Sequence, residues 1–194
     1  MNKGFKNHID EEFQKTESKV RLYNEIKEYT SKFLKKNRQI HNIKLFLTDV
    51  DGVLTDAGMY YTEHGDELKK FNTKDGKGFE LLRNAGIKTG IITSEDTNIV
   101  TNRAKKLKVD FLFQGAGNDK LKIINKLCAE ENISLDEIAY VGDDVNDLDL
   151  LSNVGLAACP QNAVAAIKSI QNIHILNSKG GEGAVREFID SFVL

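Results

Sequence analysis

The stretch Ile43-Lys-Leu-Phe-Leu-Thr-Asp49-Val-Asp51-Gly52-Val-Leu-Thr-Asp56 decides how the rest of the chain is read. Its first half is a short apolar run with the length and composition of a buried strand. It closes on two carboxylates at i and i+2, which leave one side of an extended chain together. Gly52 then lets the backbone turn abruptly with its amide groups free. Taken alone, Asp-x-Asp-Gly is more often a turn or a helix cap than a site, so its meaning depends on the remainder of the chain.

The same pattern recurs toward the C-terminus. Lys88-Thr-Gly-Ile-Ile-Thr93, Phe111-Leu-Phe113, Ile138-Ala-Tyr-Val-Gly-Asp143, Leu156-Ala-Ala-Cys159 and Ile173-His-Ile-Leu176 each read as a strand. Helix-like segments fall between them, near 75–85, 97–107, 119–131, 146–153 and 161–168. This alternation predicts an α/β fold, a doubly wound, mostly parallel sheet with helices on both faces. Such sheets bind ligands at the carboxyl ends of their strands. Three of the runs end there in oxygen-bearing residues: Asp49 and Asp51, Thr93 and Ser94, Asp143 and Asp144. One interval departs from the alternation. Residues 58–71 place β-formers on either side of Glu63-His64-Gly65-Asp66, which predicts a β-hairpin inserted after the first strand.

Composition bounds the rest. The chain has 194 residues, enough for about one domain and an appendage. Charge changes near residue 42: the first 42 residues carry ten Lys and Arg against six Asp and Glu, leaving seventeen against twenty-three beyond. We therefore divide the chain into a helical extension, 1–42, and a domain, 43–194. In the extension, Leu22, Ile26, Tyr29 and Phe33 form one apolar face and predict a helix over roughly 10–36. Such a helix packs on its own domain or on a subunit neighbour, or serves as a membrane-surface or partner-recruiting arm. A net charge of −2 lacks the basic footprint of a nucleic-acid binder. No apolar run of membrane-spanning length occurs, and the first residues are too polar for a signal-peptide core, so a soluble, cytoplasmic protein is expected. Cys128 and Cys159 are too far apart to suggest a disulfide scaffold and read as buried thiols.

The acidic residues carry the chemistry. Asp49 and Asp51, with Asp143 from Val141-Gly142-Asp143-Asp144-Val145-Asn146-Asp147, offer an oxygen ligand set that suits Mg²⁺. Negative charge concentrated at strand ends is costly unless a cation offsets it. One carboxylate beside the metal can attack phosphorus while another protonates the departing alcohol. Asp144 and Asp147 can hold waters or orient a lysine. Thr93 and the amides after it can hold phosphate oxygens, and Lys120 can balance phosphate and carboxylate charge.

Asp49-x-Asp51-Gly52-x-Leu54-Thr55, Thr93, Lys120 and Gly142-Asp143-Asp144-x-x-Asp147 resemble the four ordered motifs of the haloacid dehalogenase superfamily of aspartate-nucleophile phosphatases. The resemblance implies Asp49 as nucleophile and Asp51 as acid/base. It places Asp49, Asp51 (through its backbone carbonyl) and Asp143 around Mg²⁺, with Thr93 and Lys120 on the phosphate. Only about forty residues separate Asp51 from Thr93, too few for a large cap domain. Lys70-Phe-Asn-Thr-Lys-Asp75-Gly76, Phe113-Gln-Gly and Gly180-Gly-Glu-Gly-Ala-Val-Arg186-Glu187 are similar to the capless 3-deoxy-manno-octulosonate 8-phosphate phosphatases. That family implies a sugar-acid phosphate substrate and a homotetramer built on the hairpins. It also implies substrate contacts at Asp75, Gly76, Ser94 and Arg186, with the glycine-rich tail covering a neighbour's site. Ser94-Glu95-Asp96-Thr97 departs from the Gly-Arg typical of the octulosonate enzymes. Together with Arg103-Ala-Lys-Lys-Leu-Lys-Val-Asp110, it is similar to phosphatases of nine-carbon nonulosonate and N-acylneuraminate 9-phosphates. Glu95 is accordingly a candidate for sugar hydroxyls, or else an acid at the start of a helix.

Two other classes compete. A non-catalytic subunit assisting a sugar cytidylyltransferase would share the fold, but loss of the nucleophile is its usual mark and Asp49 is present. A phosphorylated response-regulator-like switch would share the sheet and carboxylates but lack an acid at Asp51.

Overall fold

The computed structural model describes residues 43–65 and 67–193. The predicted N-terminal helix over 10–36 lies outside these residues, as does Asp66 of the expected hairpin turn.

Six strands form one parallel sheet: β1 Leu45–Thr48, β4 Lys88–Ile92, β5 Phe111–Phe113, β6 Ile138–Val141, β7 Leu156–Cys159 and β8 His174–Ile175. Their order is β5-β4-β1-β6-β7-β8. The chain thus runs outward from β1 in one direction and returns to continue in the other. The reversal falls beside β1, which pairs with β4 through Thr48↔Ile91 and with β6 through Thr48↔Val141. That is the position where a crevice opens at the carboxyl ends of such a sheet.

Side-chain alternation along β1 sends Phe46 to one face and Leu45 and Leu47 to the other, all fully buried. Phe46 joins Phe79 and Leu82 of α1 (Thr73–Asn84), Val100 and Ala104 of α2 (Asn98–Leu107), and Phe188 of α6 (Ala184–Phe188). Its ring meets Phe79 edge-on at 5.7 Å. Leu45 and Leu47 join Ile124 and Leu127 of α3 (Lys120–Glu131), Leu150 of α4 (Leu148–Leu151) and Ile167 of α5 (Ala165–Lys168). Two cores flank one sheet, which is the doubly wound fold expected.

Helix starts follow local chemistry. Asn72 accepts from the Lys74 amide and Thr97 from the Val100 amide, so α1 and α2 begin where a side chain can satisfy an unpaired N–H. Two segments are less helical than expected. In 146–153 a 3-10 turn, Val145–Asp147, precedes the single turn of α4. In 161–168 only Ala165–Lys168 is helical, because Val164 stays extended and gives its amide to the Asp143 carbonyl. The hairpin is present but short: β2 Tyr60–Tyr61 and β3 Glu67–Leu68 pair antiparallel, Tyr60↔Leu68 and Tyr61↔Glu67. Beyond α6, a widened turn, Ile189–Val193, buries Ile189 and Val193. Cys128 and Cys159 are free and buried. No helix among the described residues is long and apolar enough to cross a membrane.

Candidate active site

Asp49 continues β1 by one residue, its amide bonded to the Val141 carbonyl at 2.9 Å. Its side chain is almost fully buried. One oxygen accepts from the Val50 amide at 2.7 Å, and the other meets Lys120 Nζ at 3.0 Å. Gly52 then turns the chain at φ 83°, and a Cβ there would lie 2.0 Å from Asp143 Oδ2. Glycine suits this position, since the left-handed φ strains any other residue and the Asp143 side chain fills the space a Cβ would take.

Lys120, the first residue of α3, is fully buried. Its position at a helix start would by itself suggest a solvated lysine. Instead its ammonium bridges Asp49 and Asp147, with Asp147 Oδ1 at 2.6 Å. The Asp147 carboxylate is saturated: Oδ1 also accepts from the Tyr140 hydroxyl at 2.5 Å, and Oδ2 accepts from the amides of Asp143 and Asp144 at 2.8 and 3.3 Å. Asp144 bonds the Val145 amide at 2.7 Å. Tyr140 is a member of this hydrogen-bonded cluster that the motifs did not mark. A tyrosine inside a buried strand needs a partner for its hydroxyl, and that need was the available signal.

Asp143 is the member left unpartnered, with Oδ1 buried and unbonded. Oxygens of Asp49, Asp143 and Asp147 lie within 4.8 Å of one another. Burial first, then the charge of Asp147, raises the Asp49 carboxyl to about 7, against the opposing pull of Lys120. Burial, followed by the charges of Asp49, Asp147 and Asp144, pushes Asp143 up to about 8. One ammonium does not balance this group, so it has the charge deficit and the open oxygen of a cation site. Asp49 and Asp143 are the members with capacity for a metal, since each Asp147 oxygen already meets two donors whereas each Asp49 oxygen meets one.

A second group stands beside the first. Asp51 Oδ1 meets Lys69 Nζ at 2.6 Å, and the same ammonium meets Glu95 Oε2 at 2.5 Å and Glu67 Oε1 at 3.6 Å. The Lys69 side chain is entirely shielded from solvent. Burial alone would lower its pKa, but the hydrogen bonds to Asp51 and Glu95 outweigh that and hold it above the ordinary lysine value. Lys69 was not singled out from the sequence, because a lysine beside a hairpin has no motif to mark it. Thr93, buried at the end of β4, donates its amide to the Phe113 carbonyl, and its own carbonyl accepts from the Ala116 amide. Ser94 Oγ accepts from Asn146 at 2.7 Å, joining the loop after β4 to the loop after β6.

The remaining expected residues, Asp75, Gly76 and Arg186, have their contacts with α2 and the C-terminal helical segment. Asp75 is fully buried and accepts from the Arg186 amide at 2.9 Å. The Arg186 guanidinium Nε reaches both oxygens of Asp190 at 2.7 Å. Gly76 faces Leu107 and Arg103 of α2. The glycine-rich tail packs on its own chain: Gly181 donates to the Val53 carbonyl at 3.0 Å, and a Cβ on Gly180 would fall 1.9 Å from the Gly52 oxygen.

A family model for haloacid dehalogenase-like hydrolases matches residues 75–155. The 3-deoxy-D-manno-octulosonate 8-phosphate phosphatase of Yersinia pestis is 36% identical over 153 residues, 79% of this chain and 81% of that one. The Moraxella catarrhalis enzyme of the same name, solved with a magnesium ion, a phosphate ion and a KDO molecule, is 34% identical. It superposes with a TM-score of 0.77 over 82% of this chain and 90% of its own. The cobalt-bound Haemophilus influenzae phosphatase is 32% identical with a TM-score of 0.74, covering 80% and 90%. Sheet, acidic cluster and these matches define a haloacid dehalogenase-like phosphatase, a phosphoric monoester hydrolase. Within that class the chain belongs to the 3-deoxy-D-manno-octulosonate 8-phosphate phosphatase family.

Proposed function

We propose that this chain hydrolyses the phosphomonoester of a 3-deoxy-2-ulosonic acid phosphate, with Mg²⁺, through an aspartyl-phosphate on Asp49. The observation that carries the reading is Lys120, sealed between Asp49 and Asp147 at the carboxyl end of β1. The unbonded Asp143 oxygen and the all-oxygen donor set fit a hard cation. Asp49, Asp143 and the backbone carbonyl of Asp51 would hold it, while Asp147 orients Lys120 from behind. Mg²⁺ at that position supplies positive charge against the phosphoryl oxygens.

The chain's own residues do the rest. Thr93 and Ser94 hold phosphate oxygens, and Lys120 offsets charge that develops on the transferring group. Asp49 attacks phosphorus, the bond from phosphorus to the sugar oxygen breaks, and Asp51 gives that oxygen a proton. Water then attacks the aspartyl-phosphate, Asp51 takes the water proton, and inorganic phosphate leaves with Asp49 regenerated.

The family's named substrate has eight carbons, and Glu95 supports a nine-carbon relative. Its side chain is 41% exposed, with one oxygen on Lys69 and the other available to accept sugar hydroxyls. An arginine there would favour a carboxylate instead. Specificity at a capless site is completed by neighbouring subunits of a homotetramer. A cytoplasmic location accords with two free, buried thiols.

Phosphate release is measured from p-nitrophenyl phosphate and from octulosonate 8-phosphate and nonulosonate 9-phosphate substrates, with and without Mg²⁺. Asp49→Asn is expected to abolish turnover while its circular dichroism stays native. Normal turnover in that variant would remove Asp49 as nucleophile. Glu95→Arg is expected to shift the ratio of kcat/KM between the nine- and eight-carbon substrates by about tenfold or more. Equal losses on both would separate Glu95 from sugar recognition.

A further inference from the structure

We infer that Lys69 is a positioning residue that ties recognition of the sugar to the alignment of the acid Asp51. The inference rests on the proposed role of Asp51 as proton donor. Lys69 follows β3 directly, at the base of the inserted hairpin. Its ammonium joins two loops from elsewhere in the fold: Asp51 after β1 at 2.6 Å and Glu95 after β4 at 2.5 Å. The Asp51 carboxylate also accepts from the Thr55 hydroxyl, at 3.4 Å. That bond is long, so Lys69 is the tighter constraint on the direction of the acid.

Charge decides what Lys69 can do. One ammonium faces Asp51 and Glu95 directly and Glu67 at 3.6 Å, so the group is net negative. An arriving substrate carboxylate or phosphate would have to displace one of these, so Lys69 is poorly suited as an anion receptor. A lysine ammonium has three donors and no acceptor, and here two donors fix two carboxylates of different function at one spacing. A sugar whose hydroxyls engage Glu95 is thereby registered against the Asp51 that must protonate its leaving oxygen. Misplacement of such a group by about 1 Å costs on the order of a hundredfold in rate.

Leaving-group chemistry separates this role from a merely structural one. A sugar alkoxide is a poor leaving group and needs the proton, whereas p-nitrophenolate departs without one. Lys69→Met keeps the unbranched stem of the side chain, one atom shorter, and removes its charge. Its kcat on the ulosonate phosphate is expected to fall roughly tenfold further than its kcat on p-nitrophenyl phosphate, part of the roughly 10²–10⁴ that a positioned acid contributes. Lys69→Arg, which keeps the charge and is the safer variant for folding, is expected to recover part of that ratio. Losses of the same factor on both substrates, in both variants, overturn the proposal. If the wild-type protein cleaves p-nitrophenyl phosphate but no ulosonate phosphate, the substrate reading fails alone, and the ratio taken with a simple alkyl phosphate still tests Lys69.

Discussion

Asp75 has one oxygen on the Arg186 amide and the other buried without a partner, and Arg103 Nε is also buried and unbonded. Burial raises its carboxyl from 3.8 to about 6, outweighing the Arg186 amide and the charges of Arg103 and Arg186. The native state therefore holds this proton more tightly than the unfolded chain does. The stabilisation is complete below about pH 3.8, erodes as pH rises, and is gone above about 6. Two pKa units correspond to ~2–3 kcal/mol. Asp75→Asn keeps an acceptor for the Arg186 amide and removes the charge. In urea melts across pH it should gain ~2 kcal/mol over wild type at pH 8 and nothing at pH 4. A gain independent of pH would count against this account. At this scale the ordered motif set, and no one member of it, pointed to Asp49, Lys120 and Asp143, which the fold brings together. The sequence was silent on Lys69 and Tyr140, whose contacts come from residues distant along the chain or in another element. For Asp75 and Arg186, expected separately as substrate contacts, nothing in the sequence marked the bond from the Arg186 amide to the Asp75 carboxylate.

Strands were the most legible elements, since β1, β4, β5, β6 and β7 are short apolar runs that coincide with the predicted segments to within a residue or two. Periodicity reads burial, and these strands are covered on both faces. The helices with a side-chain cap, α1 and α2, begin within two residues of the segments expected at 75–85 and 97–107. Residues 146–153 and 161–168 shrank to single turns because their backbones serve the loop that carries Asp143. Val164 gives that loop an amide, and Asp147 spends its carboxylate on the amides of Asp143 and Asp144. Amphipathic spacing carries no record of such tertiary demands.

For the whole molecule, alternation was enough to predict the sheet, while the strand order emerged only in three dimensions. The hairpin exposes Met59, Tyr60, Tyr61 and Leu68, an apolar surface on a two-stranded ribbon that is marginal by itself. In the proposed tetramer these residues meet their counterparts. Tyr61→Glu combined with Leu68→Glu is expected to lower the sedimentation coefficient to that of a smaller species without loss of helical signal. An unchanged tetramer would place the interface elsewhere. Lys69 adjoins this ribbon in the chain, so the proposed assembly surface and the partner of Asp51 share one short segment.

The contact of Gly180 with the Gly52 carbonyl makes the loop after Asp49 depend on a segment more than a hundred residues further along the chain. Every acidic residue of the cluster has been added to the chain once Asp147 is made, yet the loop that carries Asp49 still lacks one of its walls. Gly180 and Gly181 arrive later and close against residues 52–56. A chain clipped before Gly180 would keep the acidic cluster while the loop after Asp49 lost the backbone that packs against it.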